Sequence, residues 1–258
     1  MVGDAPSPTA DGVALLRAIP GWRVVDDRTG GTAAERLDRD RQLLEAVRAG
    51  HAPPTARLWE NSQCVVAARS ERNLPGLEAA RAQLAPHGWP VLVRDSGGTA
   101  VPHAPGILHL SLAFRPPERP LCTLDSVYAA LALPLQRGLA RIGVAAEFGD
   151  VPGSFCDGRF NLVTRGRKLA GTAQRWRARP GAASPSRGAV LAHALLLVSG
   201  DVTEWTRTIN AFYAEAGSAR RYEPAASITV AECVGESGPP LVEKIRAILL
   251  EELSTLLA

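Results

Sequence analysis

The strongest constraint on the fold is a pair of strand-like runs at 160–163 and 168–176, which flank the turn residues Arg165 and Gly166. Two such runs around a short turn predict a hairpin of paired strands. Further strand-like runs occur at 22–26, 57–60, 64–68, 90–94, 107–114 and 190–198. Apolar residues at helical spacing predict helices at 33–47, 77–84, 123–142, 202–213 and 241–257. This order predicts an α+β fold rather than a regular series of βαβ units.

Several local features sharpen this layout. A tight Asn-Ser turn is predicted to join the runs 57–60 and 64–68, and Pro134 is predicted to kink or split its helix. Residues 179–187 are rich in Pro, Gly and Ser and predict a surface loop. Residues 1–20 predict a loose N-terminal segment, which leaves 21–258 as a single domain.

Composition restricts the possible class of protein. A chain of 258 residues can bury one large core, and its apolar runs are too short to cross a bilayer. The N-terminus lacks the pattern of a secretion signal. Four cysteines without a closely spaced pair argue against a disulfide framework or zinc site and favour a reducing cytoplasm. A net charge of +3 does not indicate nucleic acid, and it suits an acidic protein partner. We expect a cytoplasmic monomer that binds no membrane.

Cys156 lies in the segment GSFCDGRF, between glycines that let the backbone turn sharply and leave the sulfur open to a substrate. A cysteine attacks only as the thiolate, and neighbouring cations lower its pKa. Several arginines and a lysine follow it closely. Alone, this pattern leaves two interpretations open, a nucleophile or an inert structural thiol. Cys64, Cys122 and Cys233 are interpreted as structural.

Lys168 begins a predicted strand whose alternation gives it a common face with Ala170, Thr172 and Gln174. That face is small and polar, with room for a ligand beside the lysine. Gly171 inside a strand indicates the close approach of a ligand or another backbone. The alternative is a solvated lysine at the end of a strand.

A glycine-rich crossing with the sequence RDSGGTAVPH separates two predicted strands. Its paired glycines let backbone N–H groups reach a bound carbonyl or phosphate, although it lacks the P-loop signature. A plain glycine turn is the alternative. His193, inside an apolar run, is predicted to be a core histidine. The candidate substrate-binding residues of the crossing are Arg94, Ser96, Gly97, Gly98, Thr99 and His103.

Three stretches in this order resemble the lipoate–protein ligase and octanoyltransferase family: RLWENSQCVVAAR, VRDSGGTAVPHAPGILHLSL and GRKLAGTAQRWR. The resemblance covers about residues 33–215. It implies a mixed-sheet α+β catalytic domain over 21–258, of the type shared with biotin ligases. It also implies an acyl tunnel beside the glycine crossing, lined by Arg94, Gly97, Gly98 and His103. Gly171 and Thr172, on the strand of Lys168, are further candidate substrate-binding residues. Lys168 would reach the acyl carbonyl or the phosphate of an acyl-adenylate.

The segment GSFCDGRFNL is similar to Gly-Ser-Tyr-Cys-Pro-Gly-x-Tyr-Asp-Leu in the cysteine-dependent octanoyl and lipoyl transferases of this family, so Cys156 matches their nucleophile. The resemblance implies a donor on acyl carrier protein or the glycine cleavage H protein, and a Cys156 thioester. A lysine on a lipoyl domain of a 2-oxoacid dehydrogenase would be the acceptor. Cys156 and Lys168 would be catalytic, with no cofactor and no metal.

Four departures from the family pattern bear on the reaction. Asn161 occupies the place where these families commonly have an aspartate, and in ligases that carboxylate helps to hold the adenylate or metal. Ala104 replaces the aspartate that often follows the ligase histidine, and the chain has no room for a separate C-terminal ligase domain. These differences favour acyl transfer over adenylation. Asp157 replaces a proline and brings a negative charge beside the thiol, which raises the thiol pKa unless the carboxylate pairs with an arginine.

Two alternative functions stay open at this point. One is an ATP- and magnesium-dependent lipoate–protein ligase that forms a lipoyl-adenylate. The other is a non-catalytic protein that binds an acyl group or a lipoyl domain. The sequence does not select the acyl donor, the acceptor, or octanoyl over lipoyl.

Overall fold

The computed structural model describes residues 8–119, 122–178 and 187–258. The strands in these ranges are β1 Arg23–Asp27, β2 Thr55–Glu60, β3 Cys64–Ala67, β4 Val91–Val93, β5 Val101–His103, β6 Ile107–Phe114, β7 Glu147–Gly149, β8 Asn161–Thr164, β9 Arg167–Ala178 and β10 Arg187–Leu197. The helices are α1 Pro8–Arg17, α2 Ala33–Ala49, α3 Leu77–Leu84, α4 Leu124–Ala140, α5 Val202–Glu215, α6 Val230–Val234 and α7 Pro239–Leu257.

Within the described ranges, the strands form two sheets. A seven-stranded sheet has the order β1-β2-β6-β10-β9-β8-β7, and a three-stranded sheet has the order β4-β3-β5. Each contains one parallel pair, β1 with β2 and β3 with β4, among antiparallel pairs. The predicted mixed-sheet α+β fold is confirmed, as is the hairpin of β8 and β9. Arg165 and Gly166 in its turn both have a positive φ, as a tight hairpin turn requires.

The large sheet uses its two faces differently. Along β6, Leu108, Leu110 and Leu112 pack into a core shared with α1, α4 and α7. The alternate residues His109 and Ser111 point to the opposite face, toward α2. The small sheet packs on α3 and α5, and a second apolar cluster lies between these elements. The cavity described below lies on the face of the large sheet that carries His109.

Helix α1 corrects the prediction of a loose segment over residues 1–20. Leu15, Leu16 and Ile19 are buried in the main core. A Cβ on Gly12 would lie 2.7 Å from the Ala129 backbone, so this glycine lets α1 approach α4 closely. Tertiary packing therefore stabilises a helix whose own sequence pattern is weak. Residues 1–7 lie outside the described ranges.

Two other expectations need correction. The strands β2 and β3 do not form a hairpin, because β2 joins the large sheet and β3 the small one. Asn61 lies between them and is buried. It donates to the Ala33 carbonyl and to His103, and these hydrogen bonds fix the segment that joins β2 to β3. Pro134 does not split α4, since the leucines on both sides of it are buried and their packing offsets one lost hydrogen bond.

The predicted loop at 179–187 lies almost wholly outside the described residues, which resume at the start of β10. Among those described, no helix is both long and apolar enough to cross a membrane.

Candidate active site

Cys156 lies in the loop between β7 and β8, and its φ of 54° places it in the left-handed region. A residue other than glycine stays in this region only when its surroundings hold it there. Two buried side chains hold the Cys156 carbonyl, to which Asn161 Nδ2 donates at 2.9 Å and Lys168 Nζ at 2.8 Å. Lys168 Nζ also donates to the Phe155 carbonyl at 2.5 Å. The backbone that carries the thiol is therefore fixed by β8 and β9.

The glycine-rich loop between β4 and β5 contacts the sulfur directly. The Thr99 N–H donates to Cys156 Sγ at 3.4 Å. Gly98 has a φ of 97°, and a Cβ on it would lie 2.5 Å from that sulfur, so this position requires glycine. Arg94 holds the loop by donating to the Gly97 and Thr99 carbonyls at 3.0 and 2.9 Å. Gly98 and the Thr99 N–H thus approach the thiol itself.

Two tyrosines anchor the same loop, and the sequence analysis missed both. Tyr222 Oη donates to Thr99 Oγ1 at 2.9 Å. Tyr213 Oη accepts from the Ala100 N–H at 2.9 Å and donates to the Glu71 carboxylate. More than a hundred residues separate each tyrosine from the loop, so no local sequence signal links them to it.

A register shift in β9 turns Lys168 toward the thiol. Where β8 pairs with β9, Leu169 has no partner of its own. Such an extra residue re-aims the side chains on either side of it. Ala170 consequently packs into the main core, while Lys168 and Gly171 both line the cavity. The predicted face common to Lys168 and Ala170 is therefore wrong, although the predicted space beside the lysine exists.

The surroundings of Cys156 favour its thiolate. Burial opposes ionisation of the thiol, but the positive charges of Lys168 and Arg94 and the Thr99 N–H outweigh it. The pKa of Cys156 therefore lies below the ordinary value for a thiol. One of these cations comes from the neighbouring hairpin and the other from the glycine-rich loop.

Other charges near Cys156 in the sequence are engaged elsewhere. Arg159 pairs with Asp125, and Arg165 donates to the Cys233 carbonyl. The Asp157 carboxylate accepts a hydrogen bond at 3.0 Å from a backbone N–H of its own loop rather than from an arginine. Proximity in sequence therefore did not identify the cations that act on the sulfur, apart from the lysine.

Lys168 is almost completely buried, with 1% of its surface exposed. Burial lowers its pKa to about 8; the charges of Cys156 and Asp157 act in the opposite direction, and Arg94 adds to the lowering. No ion pair among the described residues includes Lys168. This amine can hold or release a proton close to neutral pH, as an acid–base catalyst must.

A cavity of about 410 Å³ adjoins Cys156 and Lys168. Much of its wall is apolar, and the side chains include Leu37, Leu44, Trp59, Phe155, Leu191 and Leu195. Charged side chains, including Arg41, Asp95 and Arg175, also line the cavity. Its apolar wall suits an alkyl chain, whose reactive end would lie at Cys156 and Lys168.

Three histidines contribute to the polar part of the wall, of which His103 and His109 are buried and His193 is half-buried. His103 Nδ1 lies 3.1 Å from Asn61 Nδ2, and His193 Nε2 lies 2.8 Å from Ser96 Oγ. His109 packs against the ring of His103. Burial lowers the pKa of all three, so the imidazoles are neutral at neutral pH. His193 is hydrogen-bonded but only half-buried, and it lines the cavity, which corrects the prediction of a core histidine.

The predicted site residues occupy two positions in the structure. Those that line the cavity are Arg94, Ser96, His103, Cys156, Lys168, Gly171 and Thr172. Gly97, Gly98 and Thr99 form the loop against the sulfur. Thr172 also binds the cysteine loop, since its hydroxyl donates to the Phe160 carbonyl at 2.7 Å. Among the described residues, no group of three or more His, Cys, Asp or Glu side chains is arranged to hold a metal ion.

Comparison with known proteins gives a consistent result. The sequence profile of the lipoyl protein ligase A/B catalytic domain matches residues 32–253. An octanoyl-[GcvH]:protein N-octanoyltransferase from Kyrpidia tusciae is 38% identical over 91% of this chain and 88% of its own length. A lipoyl-[GcvH]:protein N-lipoyltransferase from Listeria monocytogenes is 28% identical over 78% of this chain and 69% of its own length.

Solved structures show the same fold. A lipoate-protein ligase A bound with ATP superposes with a TM-score of 0.67 at 18% identity, covering 92% of this chain and 85% of the other. A bipartite lipoate protein ligase from Thermoplasma acidophilum gives 0.61 at 18% identity, covering 92% and 84%.

Proposed function

This chain belongs to the lipoyl protein ligase A/B catalytic-domain family, as its motifs predicted, and we propose on that premise that it transfers an octanoyl or lipoyl group between proteins through a Cys156 thioester. The chain is an enzyme of that family. The observation that carries the proposal is the contact of a left-handed, cation-stabilised thiol with the glycine-rich loop, beside an apolar cavity.

The donor is the glycine cleavage H protein, with acyl carrier protein as a second candidate. In the first half-reaction, Cys156 Sγ attacks the acyl carbonyl of an acyl-lysine amide, and the C–N bond of that amide breaks. The Lys168 ammonium gives its proton to the departing amine. The products are a Cys156 thioester and a neutral Lys168.

The acceptor is a lysine of a lipoyl domain, such as those of the 2-oxoacid dehydrogenases. Its amine attacks the thioester, the C–S bond breaks, and Cys156 leaves as a thiolate. Neutral Lys168 takes the proton that the amine loses, which restores the Cys156 thiolate and the Lys168 ammonium. A buried amine with a pKa near 8 serves both directions of this proton transfer.

Charge develops on the acyl oxygen in both steps. We assign the stabilisation of this oxyanion to backbone N–H groups of the two glycine-containing loops together with Lys168. The loop at 97–100 is already held by Arg94 and the two tyrosines, so little reorganisation is needed during the reaction. The acyl chain would lie in the apolar cavity, with no cofactor required.

A transfer assay separates this proposal from its alternatives. The enzyme is mixed with octanoyl-H protein and an unmodified lipoyl domain, without ATP, and the mass of the lipoyl domain is followed. The proposal predicts an octanoyl-sized mass increase. Transfer only with free lipoate, ATP and Mg²⁺ would establish the ligase instead. Acyl-group binding with no transfer under either condition would establish a binding protein.

A further inference from the structure

Asn161 occupies a position that connects the nucleophile to its acid–base partner. Its side chain is buried and uses both ends. Nδ2 donates to the Cys156 carbonyl at 2.9 Å, and Oδ1 accepts from the Thr172 N–H at 3.1 Å. Lys168 Nζ donates to the same Cys156 carbonyl. The carboxamide and the amine therefore lie side by side on one oxygen atom.

In this chain the loop already carries the Asp157 carboxylate where the family motif has proline, and the arrangement at 161 suits an amide. An ionised aspartate has no donor, so at 161 it would turn an acceptor toward the Cys156 carbonyl. It would also place a negative charge near Lys168 Nζ, within the roughly 4–6 Å over which an opposite charge stabilises an ammonium. A carboxamide of the same size makes both hydrogen bonds and adds no charge.

The remaining charges around Lys168 are few. The charged groups that act on it are Cys156 and Asp157 in the nucleophile loop and Arg94 after β4. Asp157 uses an oxygen to bind a backbone N–H of its own loop. Ser227, which lies opposite Lys168 in an isolated bridge, is neutral. The side chain at 161 therefore determines whether a carboxylate lies in direct contact with Lys168.

We propose that Asn161 is a positioning residue that holds the Cys156 backbone while leaving the Lys168 amine without a carboxylate partner. Lys168 is then free to release its proton in the first half-reaction and to accept one in the second. This inference rests on the proposed function, because it concerns the two proton transfers of that reaction. It adds that the neutral side chain at 161 sets the pH range of the transfer.

The test isolates the second half-reaction. Enzyme preloaded on Cys156 from a small-molecule octanoyl thioester is mixed with an unmodified lipoyl domain, and the single-turnover rate is measured against pH. Because neutral Lys168 is the base, the wild-type rate should rise with pH to a midpoint at or below about 8, since the thioester removes the Cys156 charge that raises the Lys168 pKa in the free enzyme. In Asn161→Asp, the ionised carboxylate should move that midpoint upward by about one unit or more. The rate near pH 7 then falls by about tenfold or more.

A matched variant separates positioning from charge. Asn161→Ala removes both hydrogen bonds without adding charge, so the rate should fall while the midpoint stays at its wild-type value. Equal midpoints for Asn161→Asp and the wild type would overturn the inference and leave the proposed function intact. If Asn161→Asp does not fold, a wild-type midpoint at the ordinary lysine value of 10.5 would overturn it alone. A wild-type enzyme that forms no thioester would overturn the proposed function and this inference with it.

Discussion

Two buried cysteines in the same apolar cluster show what makes a thiol reactive in this protein. Cys64 lies in the regular strand β3, where burial raises its pKa to about 12. Cys156 lies in a left-handed loop, where Lys168, Arg94 and a backbone N–H lower its pKa despite burial. Burial is common to both cysteines. The difference comes from the cations and the backbone donor that β9 and the glycine-rich loop bring to Cys156.

The largest effect is expected from removing the lysine charge. Lys168→Met keeps a long side chain but loses the cation and the proton-transfer group, so transfer should fall by about 10²- to 10⁴-fold. The pH midpoint for alkylation of Cys156 by iodoacetamide should also move upward, because a cation that stabilises the thiolate is gone. Peptide mapping across a pH series measures the extent of alkylation of Cys156 and of Cys64 in the same sample. An unmoved Cys156 midpoint would show that Lys168 does not activate the thiol.

A smaller loss is expected from displacing the glycine-rich loop. In Gly98→Ala the new Cβ would lie 2.5 Å from Cys156 Sγ at a φ of 97°, so kcat/KM should fall by about tenfold or more. Gly97→Ala is the matched control, since nothing lies within 4 Å of its Cβ and its φ is not in the left-handed region. We expect Gly97→Ala to change kcat/KM by less than about twofold. Equal losses in the two variants would contradict the assigned contact with the sulfur.

The smallest effect on transfer is expected at the other cysteine. Cys64→Ala removes a buried sulfur that lies outside the cavity, so kcat/KM should stay within about twofold of the wild type. The cost should instead be seen in the free energy of unfolding, lowered by about 1 kcal/mol as packing is lost. Urea denaturation measures it. A large loss of transfer with unchanged stability would assign Cys64 a chemical role that its surroundings do not support.

The groups that we propose to react could be located from the sequence because each lies in a short, ordered motif. Cys156, Lys168 and the glycine crossing each keep a local signature, and the family resemblance gave their order. The hairpin that presents Lys168 was also predicted. The register shift at Leu169 was not, because a single unpaired residue leaves no trace in a run of small side chains.

The supporting groups could not be predicted in the same way. Tyr213 and Tyr222 reach the glycine-rich loop only after the chain has folded, and their own segments carry no motif. Helix α1 was missed for a related reason, since its stability depends on packing against α4 rather than on its composition. Asn161 was noticed only as a departure from the family pattern, and its two hydrogen bonds give that departure a physical basis.

The most direct test of the account is to locate the acyl group on the enzyme. The protein is incubated with octanoyl-H protein without an acceptor, quenched in acid, digested and mapped by mass spectrometry. The account predicts octanoyl on the Cys156 peptide, its removal by hydroxylamine, and an unmodified Cys64 peptide in the same sample. A lipoyl domain that becomes octanoylated by an enzyme whose Cys156 is never acylated, or by Cys156→Ala, would contradict it.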